Sequence, residues 1–341
     1  MLRKYTFILL SILKSNDRSA YFALWLQIMR LLLWPLDLAL GWAGRLLLPK
    51  KNNLSVPIII VVGIHRTGST LISQVLSDHF PLAPLGNFFT LLPRSKYLAQ
   101  HLGKYLYGKK TTKPPRYRNY YGISAGLFSI GDAYPVWDQW FGNDHYHKPD
   151  RIKEEQLYKM KNYFSWMHEI WGMPLLVKNN RNSLLITELA ETFPNSIFVV
   201  VERDPAHTIR STIQASKDFF GNDDFIWGLK PTKDFDISQY RTTLDAYCHQ
   251  FLALEQLINK QLSTINEGRI LRVKYEDFCD SPSSFLERAT HTLNKKYEIK
   301  RNLTNAFPAP FVSPSKLKNS QEIEAINDKI EAIKTKGLRP Q

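Results

Sequence analysis

The run Pro57-Ile-Ile-Ile-Val-Val-Gly-Ile-His-Arg-Thr-Gly-Ser-Thr-Leu71 constrains this chain more than any other stretch. Its β-branched block, Ile58 to Val62, predicts a buried strand, and the apolar spacing from Leu71 onward predicts a helix. Between them the loop Gly63 to Gly68 turns the chain so that backbone N–H groups and the positive end of a helix dipole surround one small space. Such a space suits a phosphate-like anion. The spacing Gly63-x4-Gly68 matches a nucleotide-binding P-loop, but Ser69 stands where that loop carries the lysine that reaches β- and γ-phosphates. Positive charge sits earlier, on Arg66. With Arg66 and the hydroxyls of Thr67, Ser69 and Thr70, the loop can hold one tetrahedral anion and lacks the usual reach to a triphosphate.

Further along, strand and helix patterns alternate. Glu154 to Trp171 reads as a helix, Pro174 to Lys178 as a strand, and Asn182 to Phe193 as a second helix. Ser196 to Glu202 reads as a buried strand, followed by Arg203-Asp-Pro205 and a helix through Lys217. Leu244 to Leu262 gives a long helix, Arg269 to Tyr275 another strand, Pro282 to Leu293 a helix, and Gln321 to Lys336 a charged closing helix. This alternation predicts an α/β fold with a central parallel sheet and right-handed crossovers. Ligands of such sheets sit beyond the carboxyl ends of the strands, which is where Gly63 to Thr70, Lys178 and Arg203 fall.

The 341 residues divide at Lys50-Lys51-Asn52-Asn53 into an apolar, basic helical segment, 1–53, and an α/β domain, 54–341. Within the first segment a membrane span is opposed by Arg30, Asp37 and Arg45, each costing about 2.5–3.5 kcal/mol in lipid, and Pro35 predicts a kink. At 100° per residue Gln27, Arg30, Asp37, Gly41 and Arg45 share one narrow stripe, with leucines and Trp25, Trp34 and Trp42 over the remainder. A kinked helix lying in a bilayer interface fits this pattern. A helical hairpin packed on the domain and a signal anchor are the alternatives. The formal net charge of +14 favours anionic substrates or an anionic membrane surface; no zinc spacing, helix-turn-helix or ribonucleoprotein motif points to nucleic acid. Two cysteines, Cys248 and Cys279, imply neither a disulfide framework nor a metal cluster, and a reducing, cytoplasmic setting with membrane association is the simplest expectation, a Golgi-type membrane protein the alternative.

Residues 81–150 show no clear period. They contain Ser129 to His147, rich in acid–base groups (Asp132, Asp138, Asp144, His145, His147) and in rings able to line a pocket or fill a core (Tyr134, Trp137, Trp140, Phe141).

Taken together, the loop His65-Arg-Thr-Gly-Ser-Thr70 and the turn Arg203-Asp-Pro205 with Ser211 eight residues beyond the arginine resemble the sulfotransferases that use 3′-phosphoadenosine 5′-phosphosulfate (PAPS), in particular their bacterial and Golgi-like branch. Val177-Lys-Asn179 resembles that family's strand-terminal lysine, and Val273-Lys-Tyr-Glu-Asp-Phe278 its Tyr-Glu-Asp segment. The resemblance spans roughly 57–295 and implies a three-layer, P-loop-containing fold and sulfuryl transfer from PAPS to a hydroxyl of a small-molecule, lipid or glycan acceptor, leaving 3′,5′-adenosine bisphosphate. It implies that Gly63, His65, Arg66, Thr67, Gly68, Ser69 and Thr70 grip the 5′ end of the nucleotide. Arg203 and Ser211 would grip its 3′-phosphate, and Tyr275 would meet adenine. Arg66 and Lys178 would stabilise the leaving phosphate, with no metal required because the donor lacks the phosphates that Mg²⁺ bridges in kinases. The bases used in two branches do not carry over: Asn180 stands where cytosolic members place a histidine, and Asn87 and Phe88 lie near the position of the tyrosyl-protein branch's glutamate. Asp132 is the first candidate for the base and His145 the second. A P-loop kinase or NTPase, and a non-catalytic membrane protein that binds anions or lipids, are the rival readings.

Overall fold

The computed structural model describes residues 12, 16–47, 55–108, 117, 119–120, 122–221, 226–302, 305–306, 308–312 and 321–337. Five parallel strands form its centre: β1 (Ile58–Val62), β2 (Ala83–Pro84), β3 (Leu175–Lys178), β4 (Ser196–Glu202) and β5 (Ile270–Lys274), in the order β2-β3-β1-β4-β5. Strand β1 lies in the middle, with Ile60 opposite Val177 on one side and Phe198 on the other. All five of its residues are buried, as a continuous β-branched run in a two-sided parallel sheet requires. Alternate residues feed two cores. Ile58, Ile60 and Val62 join one with Val177, Phe198 and Val200, whereas Ile59 and Val61 join the other with Leu176, Val199 and Val273.

Helices cover both faces. In chain order they are α1 (Arg18–Leu32), α2 (Trp34–Leu47), α3 (Ser69–His79), α4 (Phe88–Leu91), α5 (Leu98–Gly108), α6 (Tyr134–Phe141) and α7 (Glu154–Trp171). There follow α8 (Ile186–Thr192), α9 (Pro205–Phe220), α10 (Thr243–Leu262), α11 (Tyr275–Asp280), α12 (Pro282–Tyr297) and α13 (Gln321–Lys336). The second core takes Ile72, Val75 and Leu76 from α3 and Phe285, Leu286 and Ala289 from α12; the first takes its side chains chiefly from α6, α7, α8 and α10. The parallel α/β sheet is the one that the alternation predicts, and its place between two helical layers is the three-layer architecture that the resemblance implies. The closing helix α13 buries Ile323, Ile326, Ile330 and Ile333, one face at helical spacing, and packs on α9 and α10.

Three local predictions differ in detail. The stretch read as one helix from Asn182 is a 3-10 turn, Asn180–Leu184, followed by α8. Tyr275 opens a helix instead of closing a strand. The region without a clear period contains a two-residue strand and three helices. Both cysteines are buried thiols.

At the N-terminus α1 and α2 meet at a 60° bend beside Pro35. Asp17 caps α1, accepting from the Ser19 N–H at 2.6 Å. Two members of the polar stripe, Asp37 and Gly41, face the protein, whereas Gln27 and Arg30 are exposed. Asp37, 1 % exposed, accepts from the Arg94 and Ser95 N–H groups at 3.0 Å and from Ser95 Oγ at 2.8 Å. Gly41 is the contact that lets α2 approach: a Cβ there would come 3.0 Å from the Arg94 carbonyl. No single described helix is long and apolar enough to cross a membrane; the bent α1–α2 pair meets that test only with its arms taken together.

Candidate active site

The loop after β1 is drawn tight by its own side chains. Gly63 exchanges two hydrogen bonds with Ser183 Oγ, donating through N–H at 2.9 Å and accepting at its carbonyl at 2.8 Å. Thr67 Oγ1 donates back to the Ile64 carbonyl at 2.7 Å. Arg66 is held in the left-handed region at φ 68°, a conformation costing an L-residue about 1–2 kcal/mol. Its carbonyl accepts from Arg203 Nη1 at 2.9 Å, and its own Nε donates to Ser211 Oγ at 3.0 Å. The two sequence motifs are thus joined by direct hydrogen bonds across 137 and 145 residues of chain.

A cavity of about 500 Å³ opens beside this junction. Arg66, Gly68, Ser69 and Thr70 line it from the loop and α3; Lys178 and Asn180 from the end of β3; Arg203, His207, Arg210 and Ser211 from α9 and its entry turn; and Tyr275 from α11. Among the described residues its lining holds four Lys or Arg side chains and no carboxylate, so it is built for a ligand of high negative charge. Asp204 caps α9, accepting from the His207 N–H at 3.0 Å, and Pro205 supplies the preset first turn. Two turns on, Ser211 reaches the same side as Arg203. The Arg203 guanidinium sits 4.8 Å from the centre of the Tyr275 ring, and burial, the largest influence, pushes the Tyr275 hydroxyl up to about 12.

Three of the seven loop residues expected at the nucleotide face elsewhere. Gly63 and Thr67 spend their polar groups on the turn itself. His65 turns its ring into a second cavity, of about 400 Å³. There His65 Nδ1 accepts from the Leu229 N–H at 3.2 Å, and the ring meets Trp227 edge-on at 5.5 Å. Burial, reinforced by the Arg66 charge, lowers His65 to about 3, so the imidazole is neutral with its proton on Nε2. Gly228, at φ 94°, leaves the room it needs: a Cβ would lie 2.4 Å from His65 Cε1.

The second cavity also holds both candidate bases. Asp132 accepts from Lys178 Nζ through both carboxylate oxygens, each at 2.9 Å, and from the Asn180 N–H at 3.1 Å. Its side chain is 13 % exposed and that of Lys178 only 2 %. Gly122, in a tight turn at φ 89°, closes over this pair and Thr70. His145 stacks on Tyr134 at 4.0 Å and bonds Asp138 through Nε2 at 2.9 Å. Of the other acid–base candidates, Asp138 lines the cavity, whereas Asp144 and His147 pair with each other in a more exposed turn. Trp137, Trp140 and Phe141 are core; only Tyr134 of that aromatic group is a cavity wall.

Asn180 and Trp227 line both cavities, so the two meet there, with Lys178 on one side and Asp132 on the other. Sequence reasoning passed over several residues that this geometry brings forward. Trp227 lies in a stretch with no period. Arg181 is fully buried and donates to the Gly142 and Asp144 carbonyls at 2.7 and 2.6 Å and to Asp138 at 3.3 Å, which fixes the loop bearing His145. Leu26, Gln27 and Arg30 of α1 form part of the second cavity's wall. Asn87, near the position at which one branch carries a base, donates to the Ser124 and Gly126 carbonyls and serves to pin that loop.

Among solved structures, the chain is similar to sulfotransferase STF9 from Mycobacterium avium, with a TM-score of 0.48, 14 % identity, and 85 % of this chain and 70 % of that chain covered. It is similar also to sulfotransferase STF1 from Mycobacterium tuberculosis H37Rv, with a TM-score of 0.47, 11 % identity, and 82 % and 77 % covered. A third is the sulfotransferase domain from the curacin biosynthetic pathway, with a TM-score of 0.41, 17 % identity, and 83 % and 92 % covered. No curated protein sequence matches. The sulfotransferase family model matches residues 57–298, from the start of β1 to the end of α12, and so takes in the loop, the Arg203 turn and most of the lining of both cavities: the chain belongs to the sulfotransferase family.

Proposed function

We propose that this sulfotransferase takes its sulfuryl group from PAPS, bound in the carboxylate-free cavity, and passes it to a hydroxyl held in the second. The observation that carries this reading is the meeting of the two cavities at Asn180 and Trp227, with a cation on the donor side and a carboxylate on the acceptor side. Transfer is an in-line displacement at sulfur, and catalysis consists of positioning, stabilising charge on the leaving oxygen, and removing the acceptor's proton.

In this scheme Arg203 and Ser211 hold the 3′-phosphate. The Ser211 oxygen already accepts from Arg66, which leaves its own O–H to donate to an anion. Loop N–H groups, Ser69 and Thr70 hold the 5′ end, and Tyr275 and Trp227 offer rings to the base. Arg66 and Lys178 stabilise the leaving 5′-phosphate. Asp132 takes the acceptor's proton. At rest Lys178 donates to both Asp132 oxygens; as Lys178 turns toward the leaving oxygen, the Asp132 carboxylate is freed to accept from the acceptor hydroxyl.

The cofactor is tested by thermal shift. Stabilisation by 3′,5′-adenosine bisphosphate, lost in Arg203→Ala, supports the reading; preference for Mg-ATP overturns it in favour of a kinase. Transfer is read as bisphosphate released from PAPS with phenolic, sugar and long-chain alcohol acceptors.

A further inference from the structure

The outer surface of the bent α1–α2 pair is inverted relative to a soluble protein's helices. Ten of the fourteen large apolar side chains exposed among the described residues lie between Tyr21 and Leu46. Leu31, Leu32, Trp34, Trp42 and Leu46 are 50–76 % exposed, while on the opposite face Ala20, Ala23 and Leu26 pack on the domain and Asp37 is hydrogen-bonded beneath α2. Soluble monomers rarely leave so continuous an apolar surface in water. Tyr105 and Leu102 of the neighbouring α5 are exposed as well, at 60 % and 43 %.

We propose that this face docks on an anionic lipid bilayer. Three observations favour a bilayer over a protein partner. Residues 1–53 carry eight Lys or Arg against two Asp, and both carboxylates are engaged, Asp17 in a helix cap and Asp37 against Arg94 and Ser95, so the net charge of the segment is of the sign that an anionic surface attracts. The exposed set mixes leucine with three tryptophans, the composition of a helix seated at the boundary between headgroups and acyl chains. Asp37 and Gly41 are turned to the domain and the helix pair is bent by 60°, so its inner side is closed to lipid: the pair lies on the bilayer and does not cross it. Because the inner face of α1 helps wall the second cavity, docking would bring that cavity within about one helix diameter, ~10 Å, of the lipid.

The test is sedimentation of the full chain with phosphatidylcholine vesicles, with and without phosphatidylglycerol, at low and high salt. Binding to the anionic vesicles that weakens with salt, and that falls by roughly tenfold or more in Leu31→Glu/Trp42→Glu, is the expected result. Should that variant precipitate, Leu31→Ala/Trp42→Ala carries the same comparison. Equal binding to both vesicle types, no binding, or unchanged binding by the variant overturns the proposal. So does a concentration-dependent dimer, measured by light scattering, that the variant dissociates, since the face would then belong to a second copy. Sedimentation needs no nucleotide, so its outcome is independent of the PAPS reading.

Discussion

Lys178 and Asp132 form an ion pair at 2.9 Å through both carboxylate oxygens, at the boundary between a cavity rich in cations and one that holds the candidate bases. The pair is buried enough that neither charge can be removed without exposing the other to a poor solvent. Asp132→Asn should lower kcat by about 10²- to 10⁴-fold while leaving bisphosphate affinity nearly unchanged. It should also destabilise the fold by about 3 kcal/mol, because Lys178 loses its counter-charge. Adding Lys178→Met to Asp132→Asn should recover part of that stability and none of the turnover. Near-normal kcat in Asp132→Asn at saturating acceptor would eliminate Asp132 as the base and move attention to His145 on Asp138.

Arg66 is strained in backbone and central in charge, and the two properties separate experimentally. Arg66→Ala should lower kcat by about 10²- to 10³-fold, as expected for losing one donor to a developing anion, with a smaller change in bisphosphate affinity; equal losses would contradict a role at the leaving oxygen. Arg66→Gly should be equally inactive yet more stable than Arg66→Ala by about 1 kcal/mol, because glycine adopts φ 68° without penalty. Denaturant midpoints of the two variants decide the point.

The parts of the fold that could be read from sequence are those whose cause is local. Ile58 to Val62 is buried on both sides, so its β-branched run is legible without knowing its neighbours; Asp204-Pro205 writes its own helix start. The junction with Arg203 was readable because Arg66 and Arg203 are charged residues at turns and the family resemblance pairs Arg203 with Ser211, two turns into the following helix. By contrast α4 has four residues and β2 two, Asn87 holds its segment by hydrogen bonds to distant backbone, and Ala133 turns the chain at φ 46°, none of which periodicity records. Trp227 became visible only through Gly228 and His65. The N-terminal stripe was legible as a stripe, but spacing cannot say which side meets the protein. Asp37 decides it for α2, by accepting from the Arg94 and Ser95 N–H groups.

Gly68 and Tyr275 test how closely the loop is fitted to the later motif. A Cβ on Gly68 would lie 2.2 Å from Tyr275 Cδ2 and 2.4 Å from Cε2, and φ is 92°. Gly68→Ala should therefore cost about 2–4 kcal/mol, combining overpacking with left-handed strain. It should also weaken bisphosphate binding, because the displaced ring carries Arg203 with it. Pairing it with Tyr275→Ala should relieve the steric share and leave the strain. A Gly68→Ala protein with native stability and affinity would show that the loop and α11 are less tightly packed than their geometry requires.

His65 makes a prediction about pH. Its folded value, about 3, lies below the ordinary 6.5 because burial disfavours the cation, with Arg66 adding to the effect. The unfolded chain therefore binds a proton that the folded chain refuses, and stability falls as pH drops through 6.5 toward 3, while above 6.5 the contribution is complete. Between about pH 7 and pH 5 the loss attributable to His65 is roughly 2 kcal/mol. His65→Asn retains an acceptor near Nδ1 for the Leu229 N–H but cannot titrate. Urea unfolding of wild type and His65→Asn at both pH values should show a smaller acid-induced loss in the variant. Equal losses in the two proteins would mean that His65 is solvated well enough to protonate in place, and that the wall it forms between loop and second cavity opens to water.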